Sequence, residues 1–211
     1  MRLPTLTEAH AELVRLLRER AFLRGDFVLT SGRRSSWYFN GKLVTLDARG
    51  AALTGMLVAH CCRAHGCEAV GGLSMGADPV ASAAAAYAGW QGWELGAFLV
   101  RKEKKEHGAQ DRIAMAAAAD GRPLLGPGRR VALVEDAVTT GGSILQALDA
   151  VRAAGADATL AVTLVDRLQG GSDRLRAEGL TVVALAAADD EGNLTALPLP
   201  AAVLASAARP A

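Results

Sequence analysis

Residues 131–143 combine an apolar run, two adjacent acids and a turn rich in hydroxyls and glycine. The segment reads V-A-L-V-E-D-A-V-T-T-G-G-S, and a helical pattern follows it. Backbone N–H groups at the start of a helix bind phosphate, and hydroxyl side chains in the turn would add donors. Glu135 and Asp136 are unsuited to phosphate, but they can accept hydrogen bonds from the vicinal hydroxyls of a sugar. The pattern therefore predicts a site for a ribose 5-phosphate group.

Two other nucleotide-binding motifs do not fit the chain. A Walker loop requires Lys and then Ser or Thr after its second glycine, whereas the nearest frame, Gly71 to Gly76, continues with Ala77 and Asp78. No G-x-G-x-x-G motif follows a predicted strand. A purely structural role stays open as an alternative, since acids and glycines can simply shape a turn between a strand and a helix.

The elements around this segment alternate between strand and helix. We expect helices from Pro79 onward and over 142–154, and strands at 69–73, 97–100, 131–134, 160–165 and 180–185. Such alternation predicts parallel strands, and ligands bind at the carboxyl ends of strands in parallel sheets. The continuous apolar run at 131–134 is expected to be buried on both faces of the sheet.

The N-terminal region departs from this alternation. A T-x-x-E capping box at Thr5 predicts a helix to about Arg24, and 27–29 and 37–39 are typical of short strands. The segment 47–66 is expected to be a helix capped by its first residue, Asp47.

Three later segments carry no periodic pattern. We expect loops over 101–108 and 116–128, which together make a connection long enough to suggest a functional segment. The tail after Glu191 is expected to be partly loose.

Composition limits the class of protein. Hydrophobic residues are 51% of the 211 and charged residues 21%, which fits a globular chain and excludes a disordered or fibrous one. The 23 basic and 22 acidic residues leave a net charge of +1, so neither a nucleic acid nor a membrane surface is an expected partner. No apolar stretch approaches the length of a transmembrane span. Three cysteines, an odd number, argue against a disulfide framework and favour a cytoplasmic location.

The segment 131–143 resembles the phosphoribosyl pyrophosphate (PRPP) signature of the type I phosphoribosyltransferase family. Two further segments resemble motifs of the orotate phosphoribosyltransferases within it. The first, at 27–42, reads F-V-L-T-S-G-R-R-S-S-W-Y-F-N-G-K and is similar to their N-terminal motif. The second, at 101–108, reads R-K-E-K-K-E-H-G and is similar to their catalytic loop. The three segments occur in the order that the family shows.

The resemblance implies an α/β fold with a parallel twisted sheet flanked by helices. One domain would span 1–211, with residues about 1–45 contributing a small hood. The implied reaction transfers phosphoribosyl from PRPP to orotate and gives orotidine 5′-monophosphate and pyrophosphate, a step of de novo pyrimidine (UMP) biosynthesis. Mg²⁺ would be held through PRPP, with no metal ligand directly from the protein. A homodimer is expected, with the 101–108 loop acting across the subunit interface.

The resemblance also implies roles for individual residues. Cations on a closing loop would neutralise the leaving pyrophosphate and exclude water; the catalytic residues implied there are Arg101, Lys102, Lys105 and His107. The implied PRPP contacts are Glu135, Asp136, Ala137, Val138, Thr139, Thr140, Gly141, Gly142 and Ser143, with Ser74, Met75 and Gly76 in a pyrophosphate loop. The implied orotate contacts are Tyr38, Phe39, Thr139 and Arg167, with Phe39 favoured over Tyr38 for stacking.

The sequence departs from the family pattern at a few positions. Thr30 stands where many members have a lysine, and the pyrophosphate loop contains no lysine at all. Glu135 replaces a more frequent aspartate. Lys42 matches a recurring basic position, to which the sequence assigns no role.

Three alternatives stay open from the sequence. The first is a phosphoribosyltransferase for another base, such as a purine or uracil, against which the 27–42 and 101–108 motifs argue. The second is a PRPP-sensing regulator that binds nucleic acid, which should show a basic face or a helix-turn-helix segment. The third is a generic nucleotide-binding α/β domain, which leaves the acid pair without a purpose.

Overall fold

The computed structural model of the chain describes residues 3–28, 34–102, 112–115, 118 and 121–208. Helix α1 (Leu6–Leu16) begins at the predicted capping box, where the Thr5 hydroxyl accepts from the Glu8 amide and the Glu8 carboxylate accepts from the Thr5 amide. A π-helical turn (Leu17–Ala21) extends it, and strand β1 (Phe22–Val28) follows. The predicted helix end near Arg24 is wrong, because residues 22–24 pair with strand β2 (Arg34–Phe39) in an antiparallel two-stranded sheet.

Six further helices follow along the described chain. They are α2 (Lys42–Thr45), α3 (Ala48–Ala64), α4 (Ala77–Trp90), α5 (Gly142–Ala153), α6 (Gly171–Ala177) and α7 (Ala201–Ser206). Asp47 caps α3 as predicted, and its carboxylate accepts a hydrogen bond from the Gly50 amide at 3.0 Å. Across the described ranges, every helix is too short or too polar to cross a membrane.

A second sheet of seven strands forms the centre of the molecule. Its strands are β3 (Ala69–Leu73), β4 (Gly96–Val100), β5 (Ile113–Met115), β6 (Arg130–Val138), β7 (Asp157–Asp166), β8 (Thr181–Ala188) and β9 (Leu194–Ala196). The order across the sheet is β5-β4-β3-β6-β7-β8-β9, and the five central strands are parallel. The predicted parallel sheet flanked by helices is therefore confirmed.

The two edge strands were not predicted. Both β5 and β9 are three residues long and pair antiparallel with their neighbours, β4 and β8. Segments this short carry no periodic signal, and pairing with an existing strand is what orders them. The expectation of a partly loose tail is also wrong for the described residues: Val203 is fully buried, and the Ser206 hydroxyl is hydrogen-bonded to His60 Nδ1 at 2.7 Å.

Strand β6 is buried on both faces, as predicted. Val131 and Leu133 contribute to a core shared with α5 and α6, whereas Ala132 and Val134 face a second core shared with α1, α3 and α4. This alternation follows from the two-residue period of a strand. It fixes β6 rigidly and so fixes the acids at its carboxyl end.

The strand order reverses between β3 and β6. From β3 the chain moves outward to β4 and β5, then returns to the opposite side of β3 to form β6. Such a switch point opens a crevice at the carboxyl ends of the two strands. The residues after β3 and those at the end of β6 therefore face each other.

Candidate functional site

A cavity of about 430 Å³ lies at this switch point. We call it the switch-point cavity; it is lined by Lys42, Leu73, Ser74, Met75, Gly76, Arg101, Lys102, Glu135, Asp136 and Ser143. Three of these side chains are basic and two are acidic. The structure thus brings together parts of the predicted PRPP signature, the predicted pyrophosphate loop and the start of the predicted catalytic loop.

The acid pair lies in the last part of β6 and is largely removed from solvent. Glu135 is 7% exposed. Burial and the neighbouring charge of Asp136 raise the pKa of Glu135 to about 8, and the Ser143 hydroxyl partly offsets this rise. Burial also raises the pKa of Asp136, and the positive charge of Lys42 opposes that rise. Two buried carboxylates side by side are costly in the free protein, which is the arrangement expected where a ligand supplies hydrogen-bond donors.

Two glycines make room for the acid pair. A Cβ on Gly76 would overlap Glu135 Oε1, and a Cβ on Gly41 would lie 2.6 Å from Asp136 Oδ2. Neither position can accept a side chain unless a carboxylate moves. The acids are therefore enclosed by backbone from the β3–α4 connection and from the segment before α2.

The turn at 139–143 leads into the N-terminus of α5. Gly141 adopts φ +79°, a left-handed conformation that favours glycine, and Gly142 begins the helix. The Gly171 amide and the Arg174 guanidinium donate to the carbonyls of Thr139 and Thr140, at 3.0 and 2.6 Å. A small concavity lies at this turn, lined by Glu135, Ala137, Val138, Thr139, Gly141, Gly142, Ser143 and Ile144. Its amide groups and helix dipole suit an anion such as phosphate.

The segment Ser74–Gly76 connects β3 to α4 and forms the opposite wall of the switch-point cavity. The peptide bond between Ser74 and Met75 is cis. The Ser74 amide donates to the Val100 carbonyl at 2.8 Å and its hydroxyl to Asp78 Oδ1 at 2.9 Å, so both donors are engaged within the protein. Met75 is exposed.

The residues proposed for the base lie on β2 and at the end of β7. Phe39 is buried and packs edge-on against Phe22, with ring centroids 5.1 Å apart. Tyr38 points to the opposite face of β2 and is exposed. Arg167 is half-buried and follows β7 directly; its backbone amide donates to the Val138 carbonyl at 2.8 Å, beside the signature turn.

Several predicted positions lie outside the described residues. These are Lys105 and His107 of the predicted catalytic loop, and Thr30. Arg101 and Lys102 are described and line the switch-point cavity.

Two residues of the site carried no assigned role in the sequence. Lys42 begins α2 and lines the cavity beside Asp136. Trp37 lies on the same face of β2 as Phe39 and contacts Arg167. Their sequence separations from Asp136 and Arg167 are large, so only the folded chain reveals these neighbours. For Lys42, the sequence offered two signals: its match to a recurring basic position and the lack of a lysine in the pyrophosphate loop.

Comparison with known proteins identifies relatives of most of the chain. The phosphoribosyl transferase domain family matches residues 68–183. The orotate phosphoribosyltransferase of Bradyrhizobium sp. (strain ORS 278) is 41% identical over 177 residues, which are 84% of this chain and 94% of that protein.

Solved structures give the same result. The crystal structure of orotate phosphoribosyltransferase from Mycobacterium tuberculosis H37Rv matches with a TM-score of 0.69 at 35% identity, over 83% of this chain and 94% of that one. The structure of the same enzyme in complex with PRPP matches with a TM-score of 0.67 at 34% identity and the same coverage.

Proposed function

We propose that this chain, which belongs to the orotate phosphoribosyltransferases of the phosphoribosyl transferase domain family, transfers phosphoribosyl from PRPP to orotate. The products are orotidine 5′-monophosphate and pyrophosphate, and the reaction is a step of pyrimidine biosynthesis. The observation that carries the proposal is the arrangement at the switch point. The acid pair, three cations and Ser143 line one crevice. The turn at the N-terminus of α5 lines a concavity that shares Glu135 and Ser143 with this crevice.

The geometry suggests how PRPP is bound. The turn at 139–143 would hold the 5-phosphate through its amides and hydroxyls. Glu135 and Asp136 would accept hydrogen bonds from the two ribose hydroxyls, and these bonds are strongest when the carboxylates are charged. The pyrophosphate would then extend toward the Ser74–Gly76 wall, where the cations Lys42, Arg101 and Lys102 lie.

The chemistry requires charge stabilisation more than acid–base catalysis. Breaking the bond between ribose C1 and pyrophosphate leaves positive charge on the sugar and negative charge on the leaving group. Arg101 and Lys102, which line the cavity, would stabilise that negative charge. Lys105 and His107, which lie outside the described residues, would act with them, as the resemblance of 101–108 to the family's catalytic loop implies. Closure of this basic loop would also exclude water, which would otherwise hydrolyse PRPP.

We propose Mg²⁺ as the cofactor, held mainly through PRPP. Glu135 and Asp136, near the carboxyl end of β6, carry oxygen atoms of the kind that Mg²⁺ prefers. They would hold the ion only indirectly, through their hydrogen bonds to the ribose hydroxyls of PRPP. When bound, it would neutralise part of the pyrophosphate charge.

For the base, the proposed contacts are Phe39 and Arg167. The β2 face that carries Phe39 also carries Trp37, which contacts Arg167, whereas Tyr38 points away from them. The exposed Tyr38 is therefore the weaker candidate for stacking on orotate. The Thr139 side chain, exposed beside Arg167, could serve both substrates.

The proposed function includes a subunit assembly and a cellular location. We propose a homodimer in which the 101–108 loop of one subunit acts on the site of the other. A cytoplasmic location is supported by the three cysteines, all of which are buried free thiols.

An assay with four candidate bases tests this function. The purified protein is mixed with PRPP and Mg²⁺, and orotate, uracil, adenine and hypoxanthine are each followed by absorbance. Consumption of orotate alone, dependent on both PRPP and Mg²⁺, is the expected result. Consumption of another base would contradict the base assignment but retain the PRPP site. PRPP binding with no base consumed would favour a regulator instead.

A further inference from the structure

We propose that Trp37 is a positioning residue that holds the guanidinium of Arg167 toward the carboxylate of the base. The inference rests on the proposed function, because it assumes that the base carries a carboxylate. Trp37 contacts Arg167 and is not itself expected to touch the substrates.

The ring of Trp37 is fixed from several sides. It is 3% exposed, and its Nε1 donates to the Asp190 carbonyl at 2.9 Å. Phe22 packs against it with ring centroids 5.2 Å apart. Gly192 lies so close that a Cβ there would be 2.9 Å from the ring. A ring held by strand β1 and by the 190–192 turn presents a face of fixed orientation.

Arg167 lies on that face. Its Cζ is 4.0 Å from the centroid of the Trp37 ring, which is a cation–π contact. Its Nε is buried without a hydrogen-bond partner in the described part of the chain. Burial lowers the pKa of Arg167, and the negative charge of Asp190 opposes that effect. A partly desolvated guanidinium with an uncommitted donor is suited to a ligand carboxylate, which it can bind through two parallel hydrogen bonds.

The flat ring restricts which way the guanidinium can turn. Without the Trp37 ring, the Arg167 side chain would gain rotational freedom and could turn toward Asp190, whose negative charge already acts on the guanidinium. Both effects would weaken binding of a carboxylate, yet neither would alter the phosphate or ribose contacts at 135–143. The loss should therefore be confined to ligands that carry the carboxylate.

Two nucleotides separate this role from a structural one. Orotidine 5′-monophosphate and uridine 5′-monophosphate differ only in the carboxylate of the base, so their ratio of dissociation constants reports the Arg167 contact. We expect Trp37→Leu to weaken binding of orotidine 5′-monophosphate by roughly tenfold, measured by calorimetry, and to leave uridine 5′-monophosphate within about twofold. Trp37→Phe keeps an aromatic face and should retain most of the wild-type ratio.

Trp93→Leu is the matched control. It removes a second tryptophan that contacts an arginine, because Cζ of Arg63 lies 4.1 Å from the centroid of the Trp93 ring, and neither residue lines the switch-point cavity. It should lower the melting temperature and leave the ratio of the two nucleotides unchanged. If Trp37→Leu fails to fold, Trp37→Met, which has a flexible apolar side chain and no ring, should show the same loss of ratio.

The outcomes distinguish this inference from the proposed function. The positioning role would be overturned if Trp37→Leu or Trp37→Met keeps the wild-type ratio of dissociation constants. It would also be overturned if either variant binds both nucleotides more weakly by the same factor. In that case a wild-type preference for orotidine 5′-monophosphate would leave the proposed function intact. A wild-type protein that binds neither nucleotide and does not consume orotate would instead reject the function, and the inference with it.

Discussion

At the residue scale, two effects act in opposite directions on the ionisation of the acid pair. Burial favours the neutral forms of Glu135 and Asp136, whereas hydrogen bonds from ribose hydroxyls favour the charged forms. The free protein therefore carries a destabilising feature that its ligand relieves. Neutralising either acid should therefore raise the stability of the free protein and weaken its binding of the ligand.

Glu135→Gln tests this separation. The pKa of Glu135 is raised from an ordinary value near 4.5 to about 8, so its ionisation lowers the free energy of unfolding progressively as pH rises between these values. Glutamine has the same shape and no charge. Thermal melts should show the variant gaining a few degrees over wild type at pH 8.5, with a smaller gain at pH 5.

The same variant should lose much of the stabilisation that PRPP and Mg²⁺ confer on wild type. Equal melting temperatures for variant and wild type at pH 8.5 would show that burial of Glu135 carries no cost. Undiminished stabilisation by PRPP would show that Glu135 does not bind the ligand.

Lys42 is the second test at this scale. The wall formed by Ser74–Gly76 contains no cation, and Lys42 lines the same cavity beside Asp136. Lys42→Ala should raise the KM for PRPP by about tenfold and leave the KM for orotate nearly unchanged, since it removes a charge that faces the pyrophosphate. Lys42→Arg keeps the charge and is the control. An unchanged KM for PRPP in the alanine variant would exclude Lys42 from the site.

The residues that sequence reasoning identified and those it missed differ in one physical respect. Glu135, Asp136 and the turn after them are consecutive, so a local pattern contains the whole phosphate and ribose site. Trp37 and Lys42 acquire their neighbours only through the packing of β2 and α2 against the strand ends. No spacing along the chain encodes those contacts.

At the element scale, the turns at the switch point depend on glycines. The connection from β3 to α4 passes so close to the end of β6 that Gly76 has no room for a Cβ beside Glu135. The predicted strands and helices of the core were correct because buried strands and amphipathic helices carry strong patterns. Helix α1 was predicted too long, and β5 and β9 were missed, since strand pairing decides those boundaries.

Gly76→Ala tests the closeness of this connection. The added Cβ must displace Glu135, so we expect a loss of PRPP use of at least tenfold in kcat/KM, while the core strands remain folded. Gly126→Ala is the control, because nothing lies within 4 Å of a Cβ there. Kinetics and thermal melts of both variants give the comparison. Equal activity in the two variants would mean that Glu135 can move without consequence.

At the scale of the whole molecule, the proposed dimer places each basic loop over the partner's site. Lys105→Ala should remove a loop charge, although Lys105 lies outside the described residues, and Asp136→Asn should impair the ribose contacts. Each variant alone should be nearly inactive. When the two are mixed and allowed to exchange subunits, a loop acting across the interface restores one intact site in each heterodimer, or about a quarter of wild-type activity.

A loop that acts within its own subunit gives a different result. Every site of the heterodimer would then carry one defect, and mixing would restore nothing. Light scattering should show a dimer in either case, and a monomeric protein with full activity would reject the shared site altogether.

The stoichiometry of the reaction tests the assigned activity on the unmodified protein. The protein is incubated with PRPP, Mg²⁺ and orotate, and the products are quantified by mass spectrometry alongside released pyrophosphate. We predict one orotidine 5′-monophosphate and one pyrophosphate for each orotate consumed, with none formed when PRPP is omitted. Pyrophosphate released without a nucleotide product, or orotate left unchanged by a folded protein that binds PRPP, would contradict the assignment.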